Sequence, residues 1–441
     1  MNQTKSGYVP HRRDFLKQSA RATAAIGAPW IVPASVFGGP GKVAPSDRIV
    51  MGLIGSGGMG RANANAFIDE PDVQLVAVCD VDQKHLKLGT ELVNEKYENT
   101  DCRAYSDFRE LLADDRLDAT VIATPDHWHA VTAITAAKAD KDIYCEKPLA
   151  NSVGEGRAVC RAVAKHDRIL QTGSHERSGD NARYACELVR SGRLGKIHTV
   201  RVNMPCNQEH HEKVRQLRNV PPTMPIPPGF DYDFWLGPTP AVEYTELRCH
   251  FWWRFILAYG GGEMTDRGAH IIDLAQLGLG TDATGPVRFS ARGVASSTSL
   301  YDAFMEFDFE NTYANGVRLI GSNQGPRGVR FEGDSGWLFI HVHGAKLEAD
   351  PAELLDPAQA PEPSLGRTPS HRRNFLEAMR SRQQPFAHAE IGHRTATICH
   401  LNNLAMRLGR PLEWDPETQQ VVDDTEANAL LTPAMRPPWH L

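Results

Sequence analysis

A glycine-rich turn near residue 55 has the spacing that binds phosphate groups. It reads Gly55-Ser56-Gly57-Gly58-Met59-Gly60 and contains the pattern G-x-G-x-x-G. The first glycine permits a tight turn, the second lets backbone N–H groups approach a pyrophosphate, and the third lets a helix pack closely on a strand. A helix beginning here would direct free N–H groups at the phosphates. We therefore predict a dinucleotide site that includes Gly55, Gly57, Gly58, Met59 and Gly60.

An acidic residue follows at the position that distinguishes NAD from NADP. Asp80 lies about twenty residues after the last glycine, directly after the apolar run 73–79. A carboxylate here can accept hydrogen bonds from the adenosine ribose hydroxyls and would repel the 2′-phosphate of NADP. None of the next three residues is an arginine that could neutralise that phosphate. The sequence predicts NAD as the cofactor, with NADP less favoured.

Three further segments carry side chains that suit proton transfer, and they follow predicted strands or a glycine run. They are residues 124–129 (Thr-Pro-Asp-His-Trp-His), residues 146–148 (Glu-Lys-Pro) and residues 260–273, which include Asp266 and His270. Histidine exchanges protons near neutral pH, and a fixed lysine can stabilise developing negative charge. Taken singly, a strand-end lysine or a helical Asp-x-x-x-His would as readily form a surface pair.

Metal ligands are not indicated by the sequence. His127 and His129 have H-x-H spacing, but no cysteine or acidic partner accompanies them at the spacing of a zinc site. The eight cysteines contain no C-x-x-C pair, so neither a structural zinc nor a redox dithiol is predicted. We predict no metal site.

Alternating strands and helices would position the candidate residues. Short apolar runs at 48–54, 73–79, 118–123 and 142–145 are typical of buried parallel strands, and helical stretches separate them. This alternation predicts an α/β fold in which residues 47–173 form an N-terminal Rossmann domain with a doubly wound parallel sheet. Ligands of such sheets bind beyond the carboxyl ends of the strands, where the candidate residues lie.

The pattern of the remaining residues, 174–441, predicts an α+β domain with a large, mainly antiparallel open sheet. Longer alternating runs occur after Gly195, including 303–309 and 336–342. Two helices, around 375–381 and 394–408, are expected to pack back on the first domain. Between 205 and 259 lies a loop-rich insertion with many aromatics, whose rings could stack on sugars or simply form a core beneath the loop. We include Trp253 among the candidate substrate contacts.

Taken together, the glycine turn, Thr-Pro-x-x-x-His, Glu-Lys-Pro and Asp-x-x-x-His resemble the motifs of the Gfo/Idh/MocA family of glucose–fructose oxidoreductases and inositol dehydrogenases. The resemblance covers the chain from Arg48 to its last residue. It implies a catalytic group of Lys147, Asp266 and His270. His270 would take the hydroxyl proton, Asp266 would orient the imidazole or hold a neighbouring hydroxyl, and Lys147 would stabilise charge on the oxygen.

The resemblance also implies contacts around this group. Glu146 would hold the nicotinamide ribose, His129 would lie near the nicotinamide, and Pro148 would fix the loop. Arg177 matches a family position that lines the substrate site. The implied cofactor contacts add Thr124, Pro125, His129, Glu146 and Lys147; the implied substrate contacts are Lys147, Arg177, Trp253, Asp266 and His270. The open sheet face is expected to form a homo-oligomer, a dimer or a tetramer.

The resulting hypothesis is an NAD-dependent oxidoreductase that transfers a hydride between a secondary hydroxyl of a sugar, glycoside or cyclitol and a tightly bound nicotinamide cofactor. The alternative is a redox-neutral glycosidase that acts by transient oxidation and elimination. Extra bases for that cycle would be Tyr259, His175 or His127.

The first residues predict export. Residues 1–38 contain His11-Arg12-Arg13-Asp14-Phe15-Leu16-Lys17 and resemble a twin-arginine signal, although a basic leader would look similar. We expect a periplasmic protein, or alternatively one tethered to the membrane by an uncleaved signal. No apolar run is long enough to span a bilayer, so no stable span is expected after signal removal. The net charge of −6, without a dense basic block, excludes a nucleic-acid partner.

Overall fold

The computed structural model describes residues 43–295, 299–343 and 346–441. The predicted export segment, residues 1–38, lies outside the described residues. Residues 43–48 include one 3₁₀ turn, Pro45–Asp47. Within the described residues, none of the helices has the length and apolar character needed to cross a membrane.

A parallel sheet of six strands forms the N-terminal part of the chain from residue 49 onwards. Its order is β3-β2-β1-β4-β5-β6, so the direction of winding reverses between β1 and β4, as predicted for a doubly wound sheet. Every residue of β4 and β5 is buried, which explains why most of their side chains are apolar. The strands are β1 Ile49–Ile54, β2 Val73–Cys79, β3 Arg103–Tyr105, β4 Ala119–Ile122, β5 Asp142–Cys145 and β6 Leu170–Thr172.

Helices connect these strands and cover the sheet. They are α1 Gly58–Ile68, α2 Gln83–Tyr97, α3 Phe108–Leu112, α4 Asp126–Lys138 and α5 Val153–Lys165. Side chains cap several of their N-termini: Asp82 accepts a hydrogen bond from the backbone N–H of Lys84, and Ser152 accepts one from that of Glu155. Helix α1 differs, because no side chain caps it at Gly57.

A second sheet of nine strands follows, in the order β13-β12-β11-β7-β10-β9-β8-β14-β15. Only β7 and β10 pair in parallel; the other neighbours are antiparallel, as predicted for a mainly antiparallel sheet. The strands are β7 Ile197–Asn203, β8 Arg288–Val294, β9 Glu306–Thr312, β10 Arg318–Ser322, β11 Gly328–Gly333, β12 Gly336–His341, β13 Leu347–Asp350, β14 Leu412–Asp415 and β15 Gln420–Val421.

The prediction of a strand over 303–309 was wrong at its start, since β9 begins at Glu306. The backbone N–H groups of Asp302 and Ala303 instead donate to the carbonyl of Phe255, which ties this segment to the aromatic insertion. Periodicity could not reveal this, because the competing acceptor lies far away in the sequence.

The remaining α-helices pack on the second sheet or return to the first. They are α6 Asp180–Arg190, α7 Gln208–Gln216, α8 Tyr232–Leu236, α9 Gly262–Asp266, α10 Gly268–Leu279, α11 His371–Ser381, α12 Ala389–Leu408 and α13 Thr425–Leu430. Helix α11 returns to the parallel sheet, where the ring of Phe375 meets those of Phe67 and Tyr144 edge to face. Further 3₁₀ turns are His175–Ser178, Glu246–Arg248, His250–Phe255, Ala352–Leu355 and Pro357–Gln359.

Candidate active site

A cavity of about 670 Å³ lies beyond the carboxyl ends of the parallel strands. It is lined at one end by the glycine turn and Asp80, and at the other by Lys147, Asp266 and His270. The structure thus brings together segments from both sheets. The predicted site residues that line it are Gly55, Gly57, Gly58, Met59, Asp80, Thr124, Pro125, His129, Glu146, Lys147, Trp253, Asp266 and His270.

The structure requires glycine at different positions of the turn for different reasons. Gly55 has φ +86°, and a Cβ there would lie 2.8 Å from the backbone of Ala123. A Cβ at Gly60 would lie 1.9 Å from the carbonyl oxygen of Gly55, so Gly60 lies behind the turn, outside the cavity lining. A Cβ on Gly57 or Gly58 would meet no atom within 4 Å. These two positions leave space for a ligand against the uncapped start of α1.

Asp80 is held rigidly at the edge of the turn. Its Oδ2 accepts hydrogen bonds from the backbone N–H of Ser56 at 2.7 Å and from the hydroxyl of Ser56 at 3.2 Å. Its Oδ1 accepts from the backbone N–H of Asp82 at 2.9 Å. The carboxylate is therefore oriented by the same turn that would hold the phosphates, which fits a bound dinucleotide.

Lys147 and Asp266 form an ion pair in the cavity wall. The Nζ of Lys147 donates to Oδ1 of Asp266 at 2.7 Å and to its backbone carbonyl at 3.2 Å. Arg254 lies 3.8 Å from the same carboxylate oxygen. Burial opposes ionisation of Asp266, but Lys147 and Arg254 outweigh burial and hold the pKa of this carboxyl well below its usual range. Asp266 therefore fixes the position of the Lys147 side chain in the cavity wall.

His270 has the properties of a proton acceptor. Its side chain is buried, with 6% exposed, and burial lowers its pKa well below the ordinary 6.5; the charges of Lys147 and His175 act in the same direction. The imidazole is therefore neutral at neutral pH. Its Nδ1 is buried and has no hydrogen-bond partner among the residues that the structure describes.

The expected pairing of Asp266 with His270 is not what the structure shows. Helix α9 ends at Asp266 and α10 begins at Gly268, so the two residues do not share one continuous helix. The hydrogen bonds of the Asp266 carboxylate come from Lys147 instead. The structure therefore shows no hydrogen bond by which Asp266 would orient the imidazole, and its other expected role, holding a neighbouring hydroxyl, stays a prediction.

Glu146 and His129 organise the loops after β4 and β5. The Oε1 of Glu146 accepts a hydrogen bond from the side-chain amide of Asn63 at 2.8 Å. The two ring nitrogens of His129 lie 2.7 Å from the carbonyl oxygen of Pro148 and 3.0 Å from that of Thr124. Burial lowers the pKa of His129. His129 thus bridges the two strand-end loops, while the Lys147–Pro148 peptide bond is cis.

The structure corrects the role expected for Arg177. This side chain is buried, with 1% exposed, and does not line the cavity. Its Nε and Nη2 donate to the carboxylate of Asp273 at 2.9 and 2.8 Å, and Nη2 also donates to Asp282 at 2.8 Å. Because its donors are engaged inside the protein, Arg177 is a structural residue that joins a 3₁₀ turn to α10.

Two of the three extra bases considered for the glycosidase cycle are also placed elsewhere. His127 and Tyr259 are buried outside this cavity, and His127 faces a second one. The Nε2 of His127 lies 2.9 Å from the carbonyl oxygen of Trp235. Only His175 lines the candidate active site, where its ring centroid is 4.8 Å from that of His270.

Most aromatic residues of the insertion form a core, and a few reach the cavity. Tyr232, Phe255 and Tyr259 are buried in one cluster, as expected if the rings fill space beneath a long loop. Trp253 lines the cavity, and the guanidinium of Arg254 lies 4.4 Å from the centre of its ring.

Sequence reasoning missed Arg254, Glu176 and His343. His343 lies in the turn after β12, and its Nδ1 is 2.6 Å from Oε1 of Glu176. His343 also lines the cavity close to His270. No local motif signals this arrangement, because the second sheet brings residue 343 to the site.

A doubly wound sheet with an open glycine turn, next to a paired lysine and aspartate and a buried histidine, defines a nucleotide-dependent oxidoreductase class. The chain belongs to the Gfo/Idh/MocA oxidoreductase family. The sequence model of its NAD-binding Rossmann fold matches residues 49–174, and that of its C-terminal alpha/beta domain matches residues 179–441. These matches confirm the family, the fold and NAD as the type of cofactor.

The curated relatives include an inositol dehydrogenase and a glycosidase. It is 35% identical over 152 residues to inositol 2-dehydrogenase of Rubrobacter xylanophilus, covering 34% of this chain and 42% of that one. It is 28% identical over 202 residues to alpha-N-acetylgalactosaminidase of Shewanella oneidensis, covering 42% of this chain and 44% of that one. The chain thus spans less than half the length of these relatives.

The fold is also similar to that of the WlbA dehydrogenase from Bordetella pertussis, solved in complex with NADH and UDP-GlcNAcA. The TM-score is 0.63 at 17% identity, over 83% of this chain and 99% of that one. At this identity the similarity concerns the fold alone.

Proposed function

We propose that this protein is an NAD-dependent oxidoreductase that transfers a hydride between a secondary hydroxyl of a sugar, glycoside or cyclitol and a tightly bound nicotinamide cofactor. The observation that carries the proposal is that Lys147, Asp266 and His270 line the same cavity as the open glycine turn. The similarity to an inositol 2-dehydrogenase favours a polyol substrate.

The cavity residues fit NAD, which supplies the hydride acceptor when bound. The turn at Gly57 and Gly58 would hold the pyrophosphate, and Asp80 would bind the adenosine ribose. Glu146, buried beside the Lys147 loop, would accept a hydrogen bond from the second ribose.

The proton step is assigned to His270 and Lys147. The neutral imidazole of His270 accepts the hydroxyl proton while the hydrogen on the same carbon leaves as hydride. The ammonium of Lys147 stabilises the negative charge that develops on the oxygen. Asp266 accepts a hydrogen bond from Lys147 and holds it in the cavity wall.

The pH dependence of oxidation follows from the lowered pKa of His270. Because its neutral form persists below the ordinary histidine pKa of 6.5, we expect kcat/KM for alcohol oxidation to show no protonation step at or above that value. The loss of activity should occur only at lower pH, measured as initial rates of NADH formation across a pH series. A histidine-like inflection at 6.5 or above would contradict the assignment.

Substrate screening tests the proposal itself. Purified protein should be incubated with inositols, aldoses and glycosides while nicotinamide absorbance is followed, and native mass spectrometry should detect a co-purifying dinucleotide. Absence of both a bound dinucleotide and any reduction with all of these classes would refute the function.

The second candidate is the redox-neutral glycosidase, favoured by the position of His175 and by the similarity to an alpha-N-acetylgalactosaminidase. In that cycle NAD, when bound, would accept the hydride from the carbon that bears a ring hydroxyl, His270 would take the hydroxyl proton, and His175 would take the proton from the adjacent acidified C–H. The glycosidic substituent would then leave, water would add to the double bond, and return of the hydride and the hydroxyl proton would restore the alcohol. Glycoside cleavage without net NADH would favour this cycle over net oxidation.

We also propose that the protein is exported folded to the periplasm with its cofactor already bound, or remains membrane-tethered by its signal. The basis is the sequence around Arg12 and Arg13. Replacing both arginines by lysine should retain the protein in the cytoplasm, measured by cell fractionation and immunoblotting. Unchanged export of this double variant would contradict the twin-arginine route.

Finally, we propose a homo-oligomer, dimer or tetramer, through the open face of the second sheet. Exposed residues alternate with buried ones along β8 and β9, and cross-strand ion pairs such as Arg292–Asp308 and Arg318–Glu310 cover the exposed face. Light scattering coupled to gel filtration measures the oligomer, and a monomeric mass at micromolar concentration would argue against it.

A further inference from the structure

We propose that His175, Glu176 and His343 bind a divalent transition-metal ion of the zinc type beside His270. This inference deepens the proposed function, because the ion would face the same cavity and the same substrate. It also revises the expectation of no metal site, which considered only residues that are close in sequence.

The three side chains have the spacing that an ion requires. Oε1 of Glu176 lies 2.6 Å from Nδ1 of His343 and 3.3 Å from Nε2 of His175. One ligand atom from each residue lies within 4.8 Å of the others. Ligands held about 2.1 Å from a tetrahedral zinc ion are roughly 3.4 Å apart, so shifts of about an ångström would suffice.

Two histidines and one glutamate form the ligand set of several catalytic zinc sites, which keep a fourth position open. Imidazole nitrogen and carboxylate oxygen together suit zinc and its neighbours among the divalent transition metals better than magnesium or calcium. The donor set therefore points to this class of ion.

An independent observation comes from His270. Its side chain is more than nine-tenths buried and its Nδ1 has no hydrogen-bond partner. Its ring centroid lies 4.8 Å from that of His175 and 5.3 Å from that of His343. A buried polar atom without a partner is costly, and its position against both histidines indicates that this part of the cavity accommodates a polar group or ion.

A second potential set, Asp82, His85 and His250, has a similar composition and spacing but lies away from His270. Its histidine nitrogens lie 3.9 and 3.7 Å from Oδ2 of Asp82. The other oxygen of Asp82 already caps α2 by accepting from the backbone N–H of Lys84. This set also lies at the Asp80 end of the cavity, away from the reacting group. A substitution in it therefore serves as a control for zinc binding at His175, Glu176 and His343.

The open position of the ion would bind a substrate hydroxyl next to the carbon that is oxidised. His175 and His343 both line the cavity with Lys147 and His270, so the ion and the catalytic group can contact neighbouring oxygens. The inferred substrate class is therefore a vicinal diol, such as a cyclitol or a pyranose ring, rather than an isolated alcohol. The hydroxyl proton still passes to His270 and the hydride to NAD.

Calorimetric titration of the chelator-treated full chain with zinc chloride tests the site without substrate or added NAD. We expect one tightly bound zinc ion per chain, and cobalt(II) substitution should give a visible spectrum typical of four-coordinate sites. Glu176→Gln and His343→Ala should each weaken zinc binding by more than about 100-fold, since loss of even an outer partner costs 10–100-fold.

Control variants show whether the loss of zinc affinity is specific to the proposed ligands. His341→Ala, two residues before His343 and paired with Glu348, should leave zinc affinity unchanged, as should His250→Ala. Circular dichroism melts should be similar for all four variants. The proposal is overturned if the unaltered chain binds no zinc at micromolar concentrations, if Glu176→Gln binds as tightly, or if His250→Ala alone removes binding.

Different experimental results would refute the metal site and the proposed function. Lys147→Ala should lose hydride transfer yet keep its zinc, because Lys147 is not a ligand. Zinc binding without a bound dinucleotide and without NAD reduction by any inositol, aldose or glycoside tried would refute the oxidoreductase function and leave the metal site standing. Full turnover by a chelated chain would refute the role of the ion in substrate binding.

Discussion

Replacing Lys147 by alanine should lower kcat/KM for polyol oxidation by about 100- to 1000-fold, the usual cost of removing a fixed donor that stabilises transition-state charge. The reason is geometric, because the Nζ of Lys147 is the positive group that Asp266 holds in the cavity wall. Single-turnover measurement of nicotinamide reduction separates this step from product release.

An exposed lysine provides the control for this substitution. Lys138 lies at the end of α4 on the protein surface, and Lys138→Ala should react at the rate of the unaltered protein. Near-normal turnover of Lys147→Ala would contradict the role assigned to Lys147. In that case no lysine would stabilise the developing alkoxide beside His270.

Replacing Gly57 by valine should weaken NAD binding by at least about 100-fold, equivalent to about 2.8 kcal/mol. A Cβ at Gly57 meets no protein atom within 4 Å, so the valine side chain would occupy the space left for the pyrophosphate. The measurement is the dissociation constant of NAD from the apoprotein, together with the melting temperature.

Gly60→Ala gives the opposite pattern and is the matched comparison. Its Cβ would lie 1.9 Å from the carbonyl oxygen of Gly55, so this variant should lose stability. Gly57→Val should melt like the unaltered protein. If Gly57→Val binds NAD normally, the phosphates do not rest against this turn.

Local patterns predicted the first sheet well because its strands are short, buried and bounded by turns. The runs at 73–79 and 142–145 match β2 and β5 residue for residue, and Asp80 follows β2 as expected. The glycine turn was recognisable because Gly55 and Gly60 satisfy steric demands within one strand–turn–helix unit.

Contacts between distant segments were not predictable in the same way. Arg177 was expected in the substrate site, but Asp273 and Asp282 engage its guanidinium inside the protein. His343 was not expected there, but a turn of the second sheet carries it into the cavity. The Asp266–His270 pairing failed because Lys147, which lies far away in the sequence, donates to the Asp266 carboxylate. Such features depend on tertiary contacts that no periodicity encodes.

Isotope transfer tests the central claim most directly. The protein with its bound cofactor should be mixed with a polyol deuterated at its secondary carbons, and the released nicotinamide dinucleotide analysed by mass spectrometry. We predict that one deuterium appears on the reduced nicotinamide with the unaltered protein and none with Lys147→Ala. Equal labelling in both proteins, or no labelling with any polyol or glycoside tried, would contradict hydride transfer at this site.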